Sequence, residues 1–340
     1  MTPARSLIAT LALATALPAG AALAEGEVNI YSSRHYDTDE RLYSDFTEAT
    51  GIKVNRIEGK ADELIARLEA EGDNSPADLL ITVDAGRMWR ADQAGLLSPV
   101  ESDVLSARIP DYLRHPEGHW FGLSQRARII FYDKADVANP PRTYAELADP
   151  AYKGQVCTRS GSNIYMLSLL AAQIEHLGAE EATAWAKGLW ENRGREPQGG
   201  DTDQLRAIVS GECEIVVSNT YYFARGLASD VSGLTEGIEG IGWVFPDQSG
   251  AGSHVNVSAA AVTAHAPNRE NAIKFLEYLT TAQAQEYFSE GNNEYPAVPG
   301  TALAAPLATL GLFRQDDLPL EALGRNQTEA QQIYNTIGYN

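Results

Sequence analysis

From residue 27 to about residue 95, strand-like and helix-like patterns alternate without a break, and this rhythm constrains the fold more than any other feature of the chain. EVNIYSS reads as a strand and TDERLYSDFTEATG as a helix closed by Gly51; KVNRIEG and DELIARLEAEG repeat the pair. PADLLITVD followed by AGRMWRADQAG repeats it again. Such alternation predicts an α/β architecture with largely parallel sheets. HWFGLSQRARIIFYDK then runs extended with no helix inside it, a segment able to pass from one lobe to another. TYAELADPAYKGQVCTRSGSNIYMLSLLAAQIEHLG predicts helix, strand, loop and helix, and DQLRAIVSGECEIVVSNTYYFARGLAS repeats that order. SGAGSHVNVSAAAVTA is a second long extended run that would carry the chain back. NRENAIKFLEYLTTAQAQEYFSEG follows as an amphipathic helical stretch, ended by the prolines of YPAVPG. Two crossings imply two lobes with a cleft between them, a favoured place for a ligand.

The first 24 residues place Arg5 ahead of a short apolar run and end in Ala22-Leu23-Ala24, the pattern of a secretory signal cleaved after Ala24. The run is short for a membrane span, and no cysteine follows the cleavage point to take a lipid. The expected product is a soluble exported chain starting near Glu25. The full sequence carries a formal charge of −20. Losing the leader removes one arginine and no acid, so nucleic acid is disfavoured as a partner. Cys157 and Cys213 each flank a strand-like run and would meet an oxidising compartment, which predicts a disulfide; two reduced buried thiols are the alternative. Their spacing excludes a CxxC motif.

Residues at the C-terminal ends of parallel strands point into the crevice where ligands bind. His35 and Tyr36 follow the first strand, Tyr165 opens a helix after a loop of small residues, and Tyr221-Tyr222 lie where a strand gives way to the next element. One imidazole and four phenols thus converge from three turns. A phenol ionises near ~10, so several phenolates in one site require a strongly Lewis-acidic cation. Ferric iron suits anionic oxygen. Zinc favours Cys, His or carboxylate, and calcium favours carboxylates and carbonyls. Tyr31 and Tyr43 fit a strand interior and a helix face, and His115, His119, His176, His254 and His265 show no metal-ligand spacing.

YSSRHYDTDE, PADLLITVDAGR, SQRARIIFYDK, RSGSNIY and SNTYYFARG together resemble the periplasmic ferric-iron-binding proteins of ABC-type iron uptake, most closely the tyrosine-rich FutA-like branch. The resemblance runs from about residue 27 to the C-terminus. It implies a type II periplasmic binding protein fold, two α/β lobes joined by hinge strands with the ligand cleft between them. The expected segments are a leader over 1–24, an N-terminal lobe over 25–124 and 253–305, a C-terminal lobe over 125–252, and a helical segment over 306–340 packed on that second lobe. Carried over residue by residue, the resemblance makes Tyr36, Tyr165, Tyr221 and Tyr222 iron ligands, with His35 either a fifth ligand or a close neighbour. Arg225 and Arg126 would offset phenolate charge or hydrogen-bond a phenolate; a structural ion pair is the alternative for each. Ser160, Gly161, Ser162 and Asn163 could supply donors to a co-bound anion, although four phenols and an imidazole leave few open positions on the metal.

The implied cargo is Fe(III), or Fe(II) with fewer phenolates and added water, and the implied partners of a monomer are an inner-membrane ABC permease and its ATPase. Two other readings compete: an exported non-haem tyrosinate-iron enzyme, and a carrier of a small organic or anionic solute whose phenols stack on the ligand. No nucleophile elbow, P-loop or HExxH motif is present in the sequence.

Overall fold

The computed structural model describes residues 26–34 and 36–339; the expected leader and His35 lie outside the described residues. Three strand-helix pairs open the chain: β1 (Glu27–Ser32) with α1 (Glu40–Thr50), β2 (Lys53–Glu58) with α2 (Ala61–Glu71), and β3 (Leu79–Thr82) with α3 (Ala85–Gln93). β1 pairs in parallel with both β2 and β3. Local chemistry sets the joints. Gly51 adopts φ 73° and its N–H donates to the Thr47 carbonyl, ending α1 in the left-handed turn that glycine tolerates. The Asp84 side chain accepts from the Arg87 N–H and caps α3. A short α4 (Asp103–Arg108) follows.

β4 (Phe121–Asp133) is the first crossing segment. The second lobe contains β5 (Val156–Cys157), α5 (Ile164–Leu177), α6 (Ala179–Glu191), α7 (Asp201–Val209), β6 (Ile215–Asn219), α8 (Thr220–Ala228) and β7 (Ile241–Val244). β8 (Val255–Val262) returns the chain, followed by α9 (Arg269–Leu279), α10 (Ala282–Asn292), β9 (Tyr295–Pro296), α11 (Ala305–Leu310), α12 (Glu321–Arg325) and α13 (Gln327–Ile337). The strand path is β2-β1-β3-β8-β4-β6-β5, with β7 and β9 also paired to β4. Residues 121–127 of β4 lie against β8, whereas 128–132 lie against β6. One strand therefore belongs to both lobes, and β8 beside it ties back to β3.

The crossing strands run antiparallel to their neighbours, which departs from the largely parallel sheet expected. A strand that carries the chain out and one that brings it back must point in opposite directions. TYAELADPAY also departs from the helix expected there, forming two short 3-10 turns, Ala145–Ala148 and Pro150–Tyr152. Pro150 excludes the helical region for Asp149, and the chain turns instead. The amphipathic stretch after residue 268 breaks into α9 and α10 at Thr280 and Thr281.

Apolar strands buried on both faces make the cores. Val28, Ile30 and Leu80 pack with Phe46 and Phe275 in the first lobe. In the second lobe the period of two along β4 sends Ile130 to one face, with Val217 and Leu170, and Ile129 and Phe131 to the other, with Val216 and Phe223. Each such side chain contributes roughly 1.5–3 kcal/mol of burial free energy. Cys157 and Cys213 form the disulfide expected, Cα atoms 6.0 Å apart, fastening the end of β5 to the segment entering β6. α13 packs on α5 and α6, α11 on α8, and α12 on both α3 and α5.

Candidate metal centre

Four phenols stand at the N-terminal ends of helical segments. Tyr36 precedes the 3-10 turn Asp37–Asp39, Tyr165 is the second residue of α5, and Tyr221 and Tyr222 are the second and third of α8. The adjacent pair works because it lies in a helix and not in a strand. Neighbours in a helix diverge by about 100°, so both rings can border one space, and their centroids are 4.1 Å apart. The Asn163 side chain accepts from the Tyr165 N–H at 3.0 Å and fixes the start of α5. Tyr165 and Tyr221 bring their hydroxyl oxygens to 3.1 Å. Tyr36, from the first lobe, lies close enough for its charge to act on both Tyr221 and Tyr222.

Burial governs the protonation of these groups. The Tyr221 phenol is pushed well above its usual range by burial, then by Tyr165, Tyr222 and Tyr36, against a downward pull from Arg126. Tyr222 is raised by burial and then by Tyr165 and Asp201. Tyr36 is raised by burial and then by the Glu294 carboxylate, while Arg34 and Arg126 pull it down. Tyr36, Tyr221 and Tyr222 are therefore neutral near pH 7, and a cation that binds them as phenolates must displace their protons. Helix N-termini favour the resulting negative charge.

Beneath the phenols lies a buried quartet of charges. Arg34 holds Asp39 through two bonds of 2.8 and 3.0 Å, and donates to Glu294 at 2.9 Å and Ser258 at 2.6 Å. Arg126 donates to the Val83 carbonyl at 3.0 Å and Ser258 at 3.1 Å, with Glu294 3.5 Å away. Two guanidinium groups balance two carboxylates. Arg34 also lies 4.9 Å from the centre of the Tyr36 ring. Arg225 is 5.8 Å from both the Tyr221 and Tyr222 rings, and Arg159 is 5.2 Å from that of Tyr165. A cavity of about 520 Å³ lined by Ser33, Glu58, Lys60, Asp62, Val83 and Arg87 opens at the C-terminal edge of β1–β3.

The fold thus brings together Tyr36, Tyr165, Tyr221, Tyr222, Arg126 and Arg225. Asn163 serves as the helix cap, and Ser160 and Ser162 hydrogen-bond each other at 2.8 Å. Tyr31 and Tyr43 lie away from the cluster as expected: Tyr31 bonds Glu71 at 2.8 Å and Tyr43 packs against Phe275. Arg34, Glu294 and Arg159 were not read as site residues from the sequence. Arg34 stands inside YSSRHYDTDE and could have been flagged by that position, whereas nothing local marks Glu294 as a buried acid.

Residues 41–314 match the family of bacterial extracellular solute-binding proteins. The chain is 48% identical over 314 residues to "Iron uptake protein A1" of Synechocystis, covering 92% of this chain and 87% of that one. "Iron uptake protein A2" of the same organism is 46% identical, with coverage of 95% and 93%. Among solved structures, a Trichodesmium protein (IdiA, FutA) in complex with iron and citrate ligands superposes with a TM-score of 0.89 at 47% identity, covering 93% of this chain and all of that one. With two lobes joined by crossing strands, and a family match spanning most of its length, this chain belongs to the bacterial extracellular solute-binding proteins.

Proposed function

We infer that this protein captures ferric iron between its lobes outside the inner membrane and delivers it to an ABC permease driven by its ATPase. Tyr36, Tyr165, Tyr221 and Tyr222 are the proposed ligands, with His35, outside the described residues, as a fifth or as a neighbour. The observation that carries this reading is the convergence of four phenols from both lobes, with the Tyr165 and Tyr221 oxygens 3.1 Å apart. Four phenolates exceed the charge of Fe(III) by one unit, and Arg225 and Arg159 lie against their rings to offset it. Fe(II) would leave a larger excess. The names of the most similar proteins, two iron uptake proteins and one solved with iron, support the same cargo.

Binding from both lobes makes closure and capture one event, as in other periplasmic binding proteins. The proposed lobes are 25–124 with 253–305 and 125–252; of the segment 306–340 expected on the second lobe, α11 and α13 pack there, whereas α12 bridges α3 of the first lobe and α5 of the second. Cleavage after Ala24 is proposed from the sequence pattern. The binding reading is tested by competing citrate for ferric iron against wild type and Tyr222→Phe. We expect affinity to fall by roughly tenfold or more in the variant; equal affinities would remove Tyr222 from the ligand set.

A further inference from the structure

Outside the inter-lobe centre, the structure gathers Asp92, His115 and His119, whose ligand atoms all lie within 4.8 Å of one another. His115 and His119 were expected to show no metal-ligand spacing, but HPEGH places them four residues apart in one turn, a spacing that zinc sites use, and Asp92 joins them from α3, more than twenty residues earlier. That turn is rigid. The His115 N–H donates to the Trp120 carbonyl at 2.9 Å, the Gly118 N–H to the His115 carbonyl at 3.0 Å, and the Val100 N–H to the Gly118 carbonyl at 3.0 Å. Gly118 adopts φ +75°, and a Cβ there would stand 2.5 Å from the Val100 oxygen. The turn stacks the two imidazoles with centroids 4.6 Å apart. Asp92 meets both: His119 Nδ1 hydrogen-bonds its Oδ1, and His115 Nε2 is 3.7 Å from its Oδ2. The Asp92 carboxylate is 8% exposed and the imidazoles 14% and 23%, so the group is sheltered but reachable.

We propose that Asp92, His115 and His119 form a second metal site, for a divalent cation of borderline softness such as Zn²⁺, separate from the iron centre. Two imidazoles and one carboxylate suit zinc, and leave a fourth position for water. Asp92 lies near the C-terminal end of α3, about 12 Å along the helix from Asp84 at its cleft end. Binding requires a tautomer shift in each ring and the rotation of at least one imidazole out of the stack, because a metal lies near the plane of every ring that binds it. His119 presents Nδ1 to the metal and moves its proton to Nε2, which lies 4.0 Å from the exposed Glu117 carboxylate. His115 presents Nε2 and takes its proton on Nδ1, giving up the bond Nδ1 accepts from the exposed Glu117 N–H at 3.1 Å. The metal would clip the 114–120 turn to α3.

The test uses the chain from Glu25 carrying Tyr221→Phe and Tyr222→Phe, stripped of metal and titrated with Zn²⁺ against a chromophoric chelator. We expect one Zn²⁺ per chain and a zinc-dependent rise in thermal midpoint. Adding Asp92→Asn or His119→Gln should weaken binding by roughly tenfold or more and abolish the rise, with circular dichroism confirming the fold of each variant. X-ray absorption of the zinc-loaded parent should show two imidazole nitrogens. The proposal is overturned if zinc does not bind, if either folded variant binds as well as the parent, or if the absorption spectrum lacks imidazole.

Discussion

Tyr221 is 1% exposed, and its cost of ionisation is set first by that burial. Replacing it with Phe keeps the ring that packs against Tyr222 and removes only the oxygen that faces Tyr165. Tyr221→Phe should therefore unfold in urea within about 1–2 kcal/mol of wild type while its iron affinity drops. A variant that loses stability and keeps iron would identify this phenol as packing. Glu294 plays the opposite part, because it separates Arg34 from Arg126 while making the Tyr36 phenol harder to ionise. Glu294→Gln leaves two buried guanidinium groups against one carboxylate. It should cost about 3–5 kcal/mol in urea unfolding and should retain iron to a lower pH than wild type. Unchanged stability together with an unchanged pH midpoint would contradict the role of this quartet.

At the scale of elements, a buried imidazole immediately precedes the hinge strand β8. His254 Nε2 lies 2.9 Å from the Ser168 hydroxyl on α5, and that hydroxyl also accepts from Asn256, which in turn donates to Asp84 beside α3. Burial, reinforced by Arg128, pulls the His254 pKa down to about 3 from the usual 6.5. Between those values the unfolded chain binds a proton that the folded chain refuses. Stability from this group is thus complete above about pH 6.5 and is lost as pH falls toward 3. His254→Gln should flatten the acid limb of urea-unfolding stability over that window; an unaltered slope would show that other groups set it.

The disulfide closes a loop of 56 residues between β5 and β6. Reducing it should cost about 4 kcal/mol in the chain-entropy description, read as a lower urea midpoint.

These elements also mark what the sequence could convey. β1–α1 through β3–α3 were legible because period-two and period-3.6 patterns are local, and the tyrosines because they follow strands that could be placed. The direction of the crossing strands, the burial of Glu294 and the meeting of Asp92 with His115 depend on contacts distant in sequence, which no local pattern encodes.

For the whole molecule, the central consequence is that iron capture and proton release are the same process. Three of the four phenols are held above their ordinary range by burial before any metal arrives. Ferric affinity should therefore fall with pH by about tenfold per unit for each proton displaced. A calorimetric or dye-based count should find more than one proton released per iron. Because Tyr36 sits on the first lobe and the other three phenols on the second, metal binding should also draw the lobes together, and the phenols, once ionised, should absorb visible light through charge transfer to iron. The most direct measurement is a visible absorption titration of the protein with ferric iron, run beside Tyr221→Phe and Tyr222→Phe. Iron held by these phenols should give a tyrosinate charge-transfer band that saturates at one iron per chain and weakens in both variants. No band, or a band unaffected by either substitution, would contradict this ligation.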